Sequence, residues 1–432
     1  MHKLSYYVLS ISCNNYLLKN GGLPKYIEEQ QNALRSLDIG YIQIAPIRKF
    51  LVMDKKNVLH DLYTIVVNGD YQGIFTEKQV LDLLQMKQRE EEKLIGIFIH
   101  HCRGINLNFL DFLLQWIPEI PVFFYIHDYY SICPNFLMLK NDIIFCGKEK
   151  RTEEKCHDCS YYTSGIKENN SVGMFLEKYC NRIIPVSPSN IAKEIWLNTY
   201  NQYRDKIKVV PHLIWNDYYK ENMHFSTEKI KIAYVGSARG HKGWNVWKNL
   251  YEIFDKNQNA YELYTFGQNT PKCVNTTQVK VSVTINEKEA MQAWLRKLNI
   301  DCVILWSNWP ETYSYTYFES YAANTFILTC EDSGNIAYMV KKVGNGLVFK
   351  DEKQLQELIA NPQMLRAKIN DYYNSAVYGP LRFNKNFEIE NLLKKKIYRF
   401  LESNEATKKF YNGRIKCMIA GILYRIKHRR ML

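Results

Sequence analysis

Short apolar runs rich in β-branched and aromatic residues alternate along this chain with longer stretches whose apolar residues recur at three- and four-residue steps. In the first half Tyr6–Ile11, Tyr41–Ala45, Leu94–His100, Val122–His127 and Ile183–Val186 read as strands, while Tyr26–Leu37 and Leu107–Trp116 read as helices. After Val209–Pro211 comes a polar stretch, from about His212 to Glu228, with no clear period. The alternation then restarts, with strands at Ile230–Val235, Glu262–Phe266, Val279–Val283, Cys302–Leu305, Phe326–Thr329 and Gly346–Phe349. Repeated strand–helix units build mostly parallel sheets. The prediction is an α/β chain of two Rossmann-like domains, at 1–212 and 229–380, joined by a linker at 213–228 and followed by a C-terminal crossover helix and basic tail at 381–432.

A length of 432 residues fits that division, since domains commonly run to about 100–200 residues. With 46% hydrophobic and 23% charged residues the chain is expected to be globular and soluble. No apolar run reaches the roughly 18–20 residues that cross a bilayer. Leu4–Ser12 before Cys13 faintly resembles a signal sequence, but Ser10, Ile11 and Ser12 make a poor cleavage site, so the segment reads as the first buried strand.

The net charge of +13 calls for a polyanionic partner: nucleic acid, an anionic membrane or a phosphorylated substrate. Residues 404–432 hold eight basic residues and one acid, a net of +7. The rest of the chain keeps only +6, too little for a nucleic-acid surface along the fold, and no nucleic acid is expected. In the tail Ile415, Met418, Ile419, Ile422, Leu423 and Ile426 recur at helical spacing among basic residues, a basic amphipathic helix suited to an anionic membrane. A final helix docked on the fold would explain the apolar stripe but not the ending Lys427-His428-Arg429-Arg430.

Ligands of parallel α/β sheets bind outside the carboxyl ends of the strands, so the loops there are where chemistry is sought. Neither domain opens with a three-glycine dinucleotide fingerprint or a phosphate loop ending in Lys-Ser or Lys-Thr, which counts against hydride transfer and nucleoside triphosphate hydrolysis. Gly21-Gly22-Leu23-Pro24 follows the first strand; paired glycines let a backbone approach an anion, or make an ordinary turn. His127-Asp128 follows Val122–Ile126; the imidazole could face a ligand, or simply tie down the loop through Asp128. Gly236-Ser237-Ala238-Arg239-Gly240-His241-Lys242-Gly243 suits a diphosphate, with Lys242 a point charge and Arg239 a forked donor, or is a solvated basic turn. In Trp306–Glu319 two acids, Glu311 and Glu319, are eight residues apart around a proline and hydroxyl-rich residues. A helix beginning near Ser314 puts Glu311 in the loop before it and Glu319 inside it, with free N–H groups between; two solvated glutamates are the plain alternative. The aromatic residues Trp306, Trp309, Tyr313, Tyr315, Tyr317, Phe318 and Tyr321 read as sugar-stacking or core-packing groups.

These motifs resemble retaining glycosyltransferase family 4. The segment 310–319, with Ala322-Ala323 and Asp332–Ala337 after it, is similar to that family's Glu-seven-residues-Glu signature. The turn at 236–243 resembles its diphosphate loop, and Gly21-Gly22 and His127-Asp128 match its first domain in order. The resemblance implies the GT-B fold, with an acceptor-binding first domain, a nucleotide-sugar-binding second domain and the active site between them. It implies Glu311, His127 and Lys242 as catalytic residues, with Glu311 on the hydroxyls of the transferred sugar and His127 against that sugar on the acceptor side. It further implies donor binding by Gly21, Gly22, Arg239, Lys242, Tyr313, Ser314, Tyr315 and Glu319, with Glu319 on the ribose. The family's usual Gly-Arg pair is here Gly236-Ser237, with the arginine displaced to 239, and Asn324 stands where glycine is common.

Cys133, Cys146, Cys156 and Cys159 cluster in an insertion at 133–159, and read as a closed structural zinc site or as free or redox-labile thiols. The eleven scattered cysteines suit a reducing cytoplasm. The expected function is a glycosyltransferase of cell-surface polysaccharide biosynthesis, held peripherally at the inner face of the membrane. Its partners are a nucleotide diphosphate sugar and a glycan or lipid-linked acceptor, with no cofactor for catalysis. Glycoside hydrolysis by the paired carboxylates finds no support in the spacing. A non-catalytic GT-B partner or glycan-binding module, and a nucleotide-sugar isomerase, are the alternatives.

Overall fold

The computed structural model of the protein describes residues 4–18, 21–47, 61–149, 151–215, 229–268, 270–281, 290–375, 379, 381–384 and 414–428. The first sheet contains β1 (Tyr6–Ile11), β2 (Ile39–Pro46), β3 (Leu62–Val67), β4 (Asp70–Thr76), β5 (Lys93–Ile99), β6 (Val122–Tyr125), β9 (Ile183–Ser187) and β10 (Lys208–Val209). A small hairpin, β7 (Leu139–Lys140) and β8 (Ile144–Phe145), stands apart in the cysteine-bearing insertion. The sheet order is β10-β9-β6-β5-β1-β2-β3-β4, parallel from β10 to β2. Strands β3 and β4 are antiparallel and lie outside the predicted βα pattern. Their turn is Asn68-Gly69, both at positive φ, the conformation a two-residue hairpin demands.

The second sheet is wholly parallel, in the order β14-β13-β12-β15-β16-β17, from β12 (Ile230–Val235), β13 (Tyr261–Phe266), β14 (Thr276–Val279), β15 (Cys302–Ile304), β16 (Phe326–Cys330) and β17 (Gly346–Phe349). Strand β14 begins before the predicted Val279–Val283, because Thr276–Val279 holds the register with Leu263–Phe266; Val279, its last residue, and Val281, just beyond it, are both buried. Residues 282–283 lie outside the described residues. Between the sheets the chain crosses twice. Leu213–Trp215 (β11), at the start of the stretch read as linker, pairs antiparallel with Leu381–Phe383 (β18), so the outgoing and returning segments lie side by side. Residues 216–228 lie outside the described residues.

Side chains of each half reach into the other and lock the two together. Trp309, from the loop after β15, is buried in the core of the first half, edge-on to Tyr129. Tyr129 Oη also donates to the Pro310 carbonyl at 3.1 Å, and Thr312 Oγ1 donates to the His127 carbonyl at 2.6 Å.

The C-terminal helix Arg414–His428 docks on the β3–β4 hairpin. Its inward residues are Cys417, Ala420 and Tyr424, which pack against Leu62 and Ile74 and stack on Tyr71. The aliphatic face turns away: Met418, Ile419, Ile422, Leu423 and Ile426 are all more than half exposed. The helix therefore docks on the fold while leaving its apolar stripe uncovered. Of the tail, residues 404–413 and 429–432 lie outside the described residues. Among the described residues no helix is long and apolar enough to cross a membrane.

Candidate active site

In each sheet the strand order reverses once, at β1/β5 and at β12/β15. Such reversals part the loops at the carboxyl ends and open a crevice. The predicted motifs occupy these ends. Gly21 caps the helix Gly22–Arg35 at φ 137°, a conformation that favours glycine. That helix starts four residues before the predicted Tyr26, with Pro24 in its first turn, where no N–H is needed. Ser314 caps the helix Tyr315–Ala322, its Oγ accepting from Tyr317 N at 3.3 Å. Glu311 thus sits in the loop and Glu319 in the second turn, as the spacing predicts. The helix closes at Asn324, at φ 59°, a left-handed position asparagine tolerates.

Where the two crevices meet lies a cavity of about 250 Å³. It is lined from the first half by Gly22, His127 and His212, and from the second by Lys242, Tyr313 and Tyr315. Glu311, buried behind it, is held on three sides. Its Oε1 accepts from Ser307 Oγ at 2.6 Å and from Lys242 Nζ, and its carbonyl accepts from Asn335 N at 2.9 Å. Lys242 in turn lies 5.5 Å above the Trp309 ring, and its carbonyl accepts from Tyr234 Oη on β12 at 3.1 Å. The turn can close only with Gly243, at φ 79°, because a Cβ there would lie 2.3 Å from the Trp306 carbonyl oxygen. Arg239, on the same turn, is exposed and does not line the cavity.

His127 is not the loop tie that His127-Asp128 allowed. Asp128 instead pairs with His101 Nε2 at 3.2 Å; burial opposes the aspartate's charge, but His101, the Tyr130 N–H and His127 together hold the carboxyl below its usual range. His127 Nε2 faces His100 Nδ1 at 3.0 Å. Burial, aided by the charge of His101 and opposed by Asp128, lowers its pKa to about 3, so it is neutral at physiological pH. Gln30 and Tyr41 fix His100 in turn, through contacts to its Nε2 of 3.1 and 3.4 Å. His212 lies between Tyr26 and Tyr313, with ring centroids 4.4 and 4.3 Å away. Burial holds both His100 and His212 well below the ordinary imidazole value.

Glu319 is buried, and its Oε1 is 3.0 Å from Lys25 Nζ, contributed by the opposite half. Burial raises its pKa and Lys25 opposes the rise. Lys25, His100 and His212 escape the sequence reading. His212 follows a strand end, the position searched elsewhere, but Lys25 looks like any basic residue in a first helical turn. The aromatic residues at 306–321 prove to be packing groups in the main: Tyr317, Phe318 and Tyr321 sit in the core of the second half, and only Trp309, Tyr313 and Tyr315 reach the cavity.

In the insertion Cys133 is buried and its thiol is pushed up to about 11 by burial, opposed by the Arg151 guanidinium. Cys146 is exposed, and Cys156 and Cys159 are half-buried. Among the described residues no three His, Cys, Asp or Glu side chains converge as a metal site. A larger cavity, of about 800 Å³, lies in the second half between Lys229, Lys248, Tyr251, Tyr261 and Lys272. It surrounds the amino ends of β12 and β13, opposite to the ends where such sheets bind ligands.

No family model matches the chain, and no curated protein matches it in sequence. Solved structures match it in fold. It is similar to WaaG, a glycosyltransferase involved in lipopolysaccharide biosynthesis, with TM-score 0.50 and 11% identity over 85% of this chain and 95% of that one. Sucrose-phosphate synthase from Thermosynechococcus elongatus aligns with TM-score 0.50 and 12% identity over 90% and 96%. A glycosyltransferase from Rickettsia africae ESF-5 aligns with TM-score 0.51 and 14% identity over 90% and 99%. The two facing Rossmann-like halves therefore form the GT-B fold that the motifs imply, shared with glycosyltransferases.

Proposed function

We propose that the protein is a glycosyltransferase that moves a sugar from a nucleoside diphosphate donor to a glycan or lipid-linked acceptor of a cell-surface polysaccharide, with retention of configuration. The observation that carries this reading is the contact of Lys242 with buried Glu311 at a cavity shared with Gly22, His127 and the first turn of the Tyr315 helix. Breaking the glycosidic bond leaves negative charge on the departing diphosphate and positive charge on the sugar. Lys242, with backbone N–H groups near Tyr313–Tyr315 and Gly22, offsets the first, as preorganised donors do in a partly dry site. Glu311 orients the sugar hydroxyls, Glu319 takes the ribose, and neutral His127 meets the sugar on the acceptor side. Arg239 is left a secondary contact at the rim. Such a cation set needs no metal for its electrostatic task.

The uncovered face of the C-terminal helix supports a second partner, an anionic membrane. Each large apolar side chain that leaves water there contributes about 1.5–3 kcal/mol, and each nearby lysine or arginine about 1 kcal/mol more against an anionic leaflet. The reaction is tested by incubating the protein with UDP-, GDP- and ADP-sugars and a lipid-linked acceptor extract, and following nucleoside diphosphate by mass spectrometry. Acceptor-dependent release from one donor class is expected; a donor rearranged without release points to an isomerase, and intact donors throughout would sink the proposal. In the same preparation, deletion of 404–432 is expected to move the protein from phosphatidylglycerol vesicles to the supernatant while donor binding persists. Unchanged vesicle recovery would contradict the membrane role.

A further inference from the structure

We propose that Lys25 is a donor-binding residue, one that pairs with Glu319 and exchanges that carboxylate for the phosphates of a nucleoside diphosphate. This rests on the reading of the cleft given above. Lys25 stands in the first turn of the Gly22–Arg35 helix, and its partner Glu319 belongs to the Tyr315–Ala322 helix of the other half. The two side chains are only 16% and 8% exposed and meet at 3.0 Å. Lys25 Nζ also lies 4.9 Å from the centre of the Tyr315 ring. That ring is pressed so closely on Gly22 that a Cβ there would come within 3.2 Å of it. The starts of both helices and this ion pair therefore form one junction across the cleft.

Helix N-termini carry partial positive charge and free N–H groups, and they favour anions. Here a lysine lies in the first turn of one helix and against the side chain of the first residue of another, and it meets Glu319 across the junction. A diphosphate placed there satisfies the lysine and both helix starts at once. It also releases the carboxylate of Glu319 to accept from the ribose hydroxyls, so the charges already present are exchanged rather than newly buried.

The two roles separate in a comparison of a nucleoside diphosphate with its parent nucleoside. The tightest binder among UDP, GDP, ADP and CDP is titrated into the full chain by calorimetry, and the nucleoside is measured by ligand-detected NMR. Lys25→Ala is expected to weaken the diphosphate about 10–100-fold, the worth of one charged hydrogen bond. The nucleoside is expected to bind the variant as tightly as before or more tightly, because Glu319 is freed. Lys25→Arg is expected to keep the diphosphate within about 3-fold, since it keeps the charge. Equal losses for both ligands, or a diphosphate that binds Lys25→Ala undiminished, overturns the assignment alone. A wild-type protein that binds none of the four diphosphates overturns the donor site and this assignment with it.

Discussion

Glu311→Gln is expected to cut nucleoside diphosphate release by about 10²–10³-fold, the cost of losing one preorganised charge-stabilising contact in a catalytic site. Glutamine keeps the shape and can still accept from Ser307 Oγ, so the loop keeps its anchor. What it loses is the carboxylate that faces Lys242 and that we assign to the donor sugar. Lys242 is about one-third exposed, so solvent screens its unpaired charge and folding stability changes little. The loss therefore appears in kcat, with the thermal midpoint nearly unmoved. Lys242→Ala lowers release by a similar factor, and the double variant is expected to be far less impaired than the product of the two, because the residues act as a unit. A Glu311→Gln protein with wild-type turnover would remove Glu311 from the site.

Gly334→Ala is the second large effect, and it acts on the same residue from behind. Gly334 has φ 61° and ψ −118°, a region open essentially to glycine alone. A Cβ there would lie 2.5 Å from Pro310 Cα and from Glu311 N, backbone atoms that cannot swing aside. The next residue, Asn335, is tied through its N–H to the Glu311 carbonyl. Either the Glu311 loop moves or the start of the Asn335–Val343 helix does. A displacement near 1 Å at a catalytic group costs about 100-fold in rate, and forcing alanine into this backbone costs about 1–3 kcal/mol. Both losses are expected, in steady-state turnover and in thermal melting. An alanine variant with normal turnover would show that the loop's position is not set by this contact.

What could be read from the sequence divides by range. Strand, loop and helix starts at 230–244 and 302–322 are legible because apolar runs, glycines and a serine cap mark them locally. The Glu311 and Glu319 placements follow from that. The β3–β4 hairpin is missed although its Asn68-Gly69 turn is a strong local signal, since a uniform βα reading has no place for it. Lys25–Glu319 has no local mark at all: its members are 294 positions apart and meet only because two folded halves face each other. The same holds for His101 taking Asp128 and leaving His127 to the cavity. The tail's amphipathic pattern is legible, but which face docks is not. Cys417 and Tyr424 find Ile74 and Tyr71, and the aliphatic face is left outward.

We assign the donor to the cleft between the two halves and not to the larger lysine-lined cavity. A crystal structure of the protein grown with the nucleoside diphosphate it binds most tightly tests this directly. Density for the two phosphates is expected within hydrogen-bonding distance of Lys242 and the first turn of the Tyr315 helix, with the ribose at Glu319. Density for the nucleotide among Lys248, Tyr251 and Lys272, with the cleft unchanged, would contradict it.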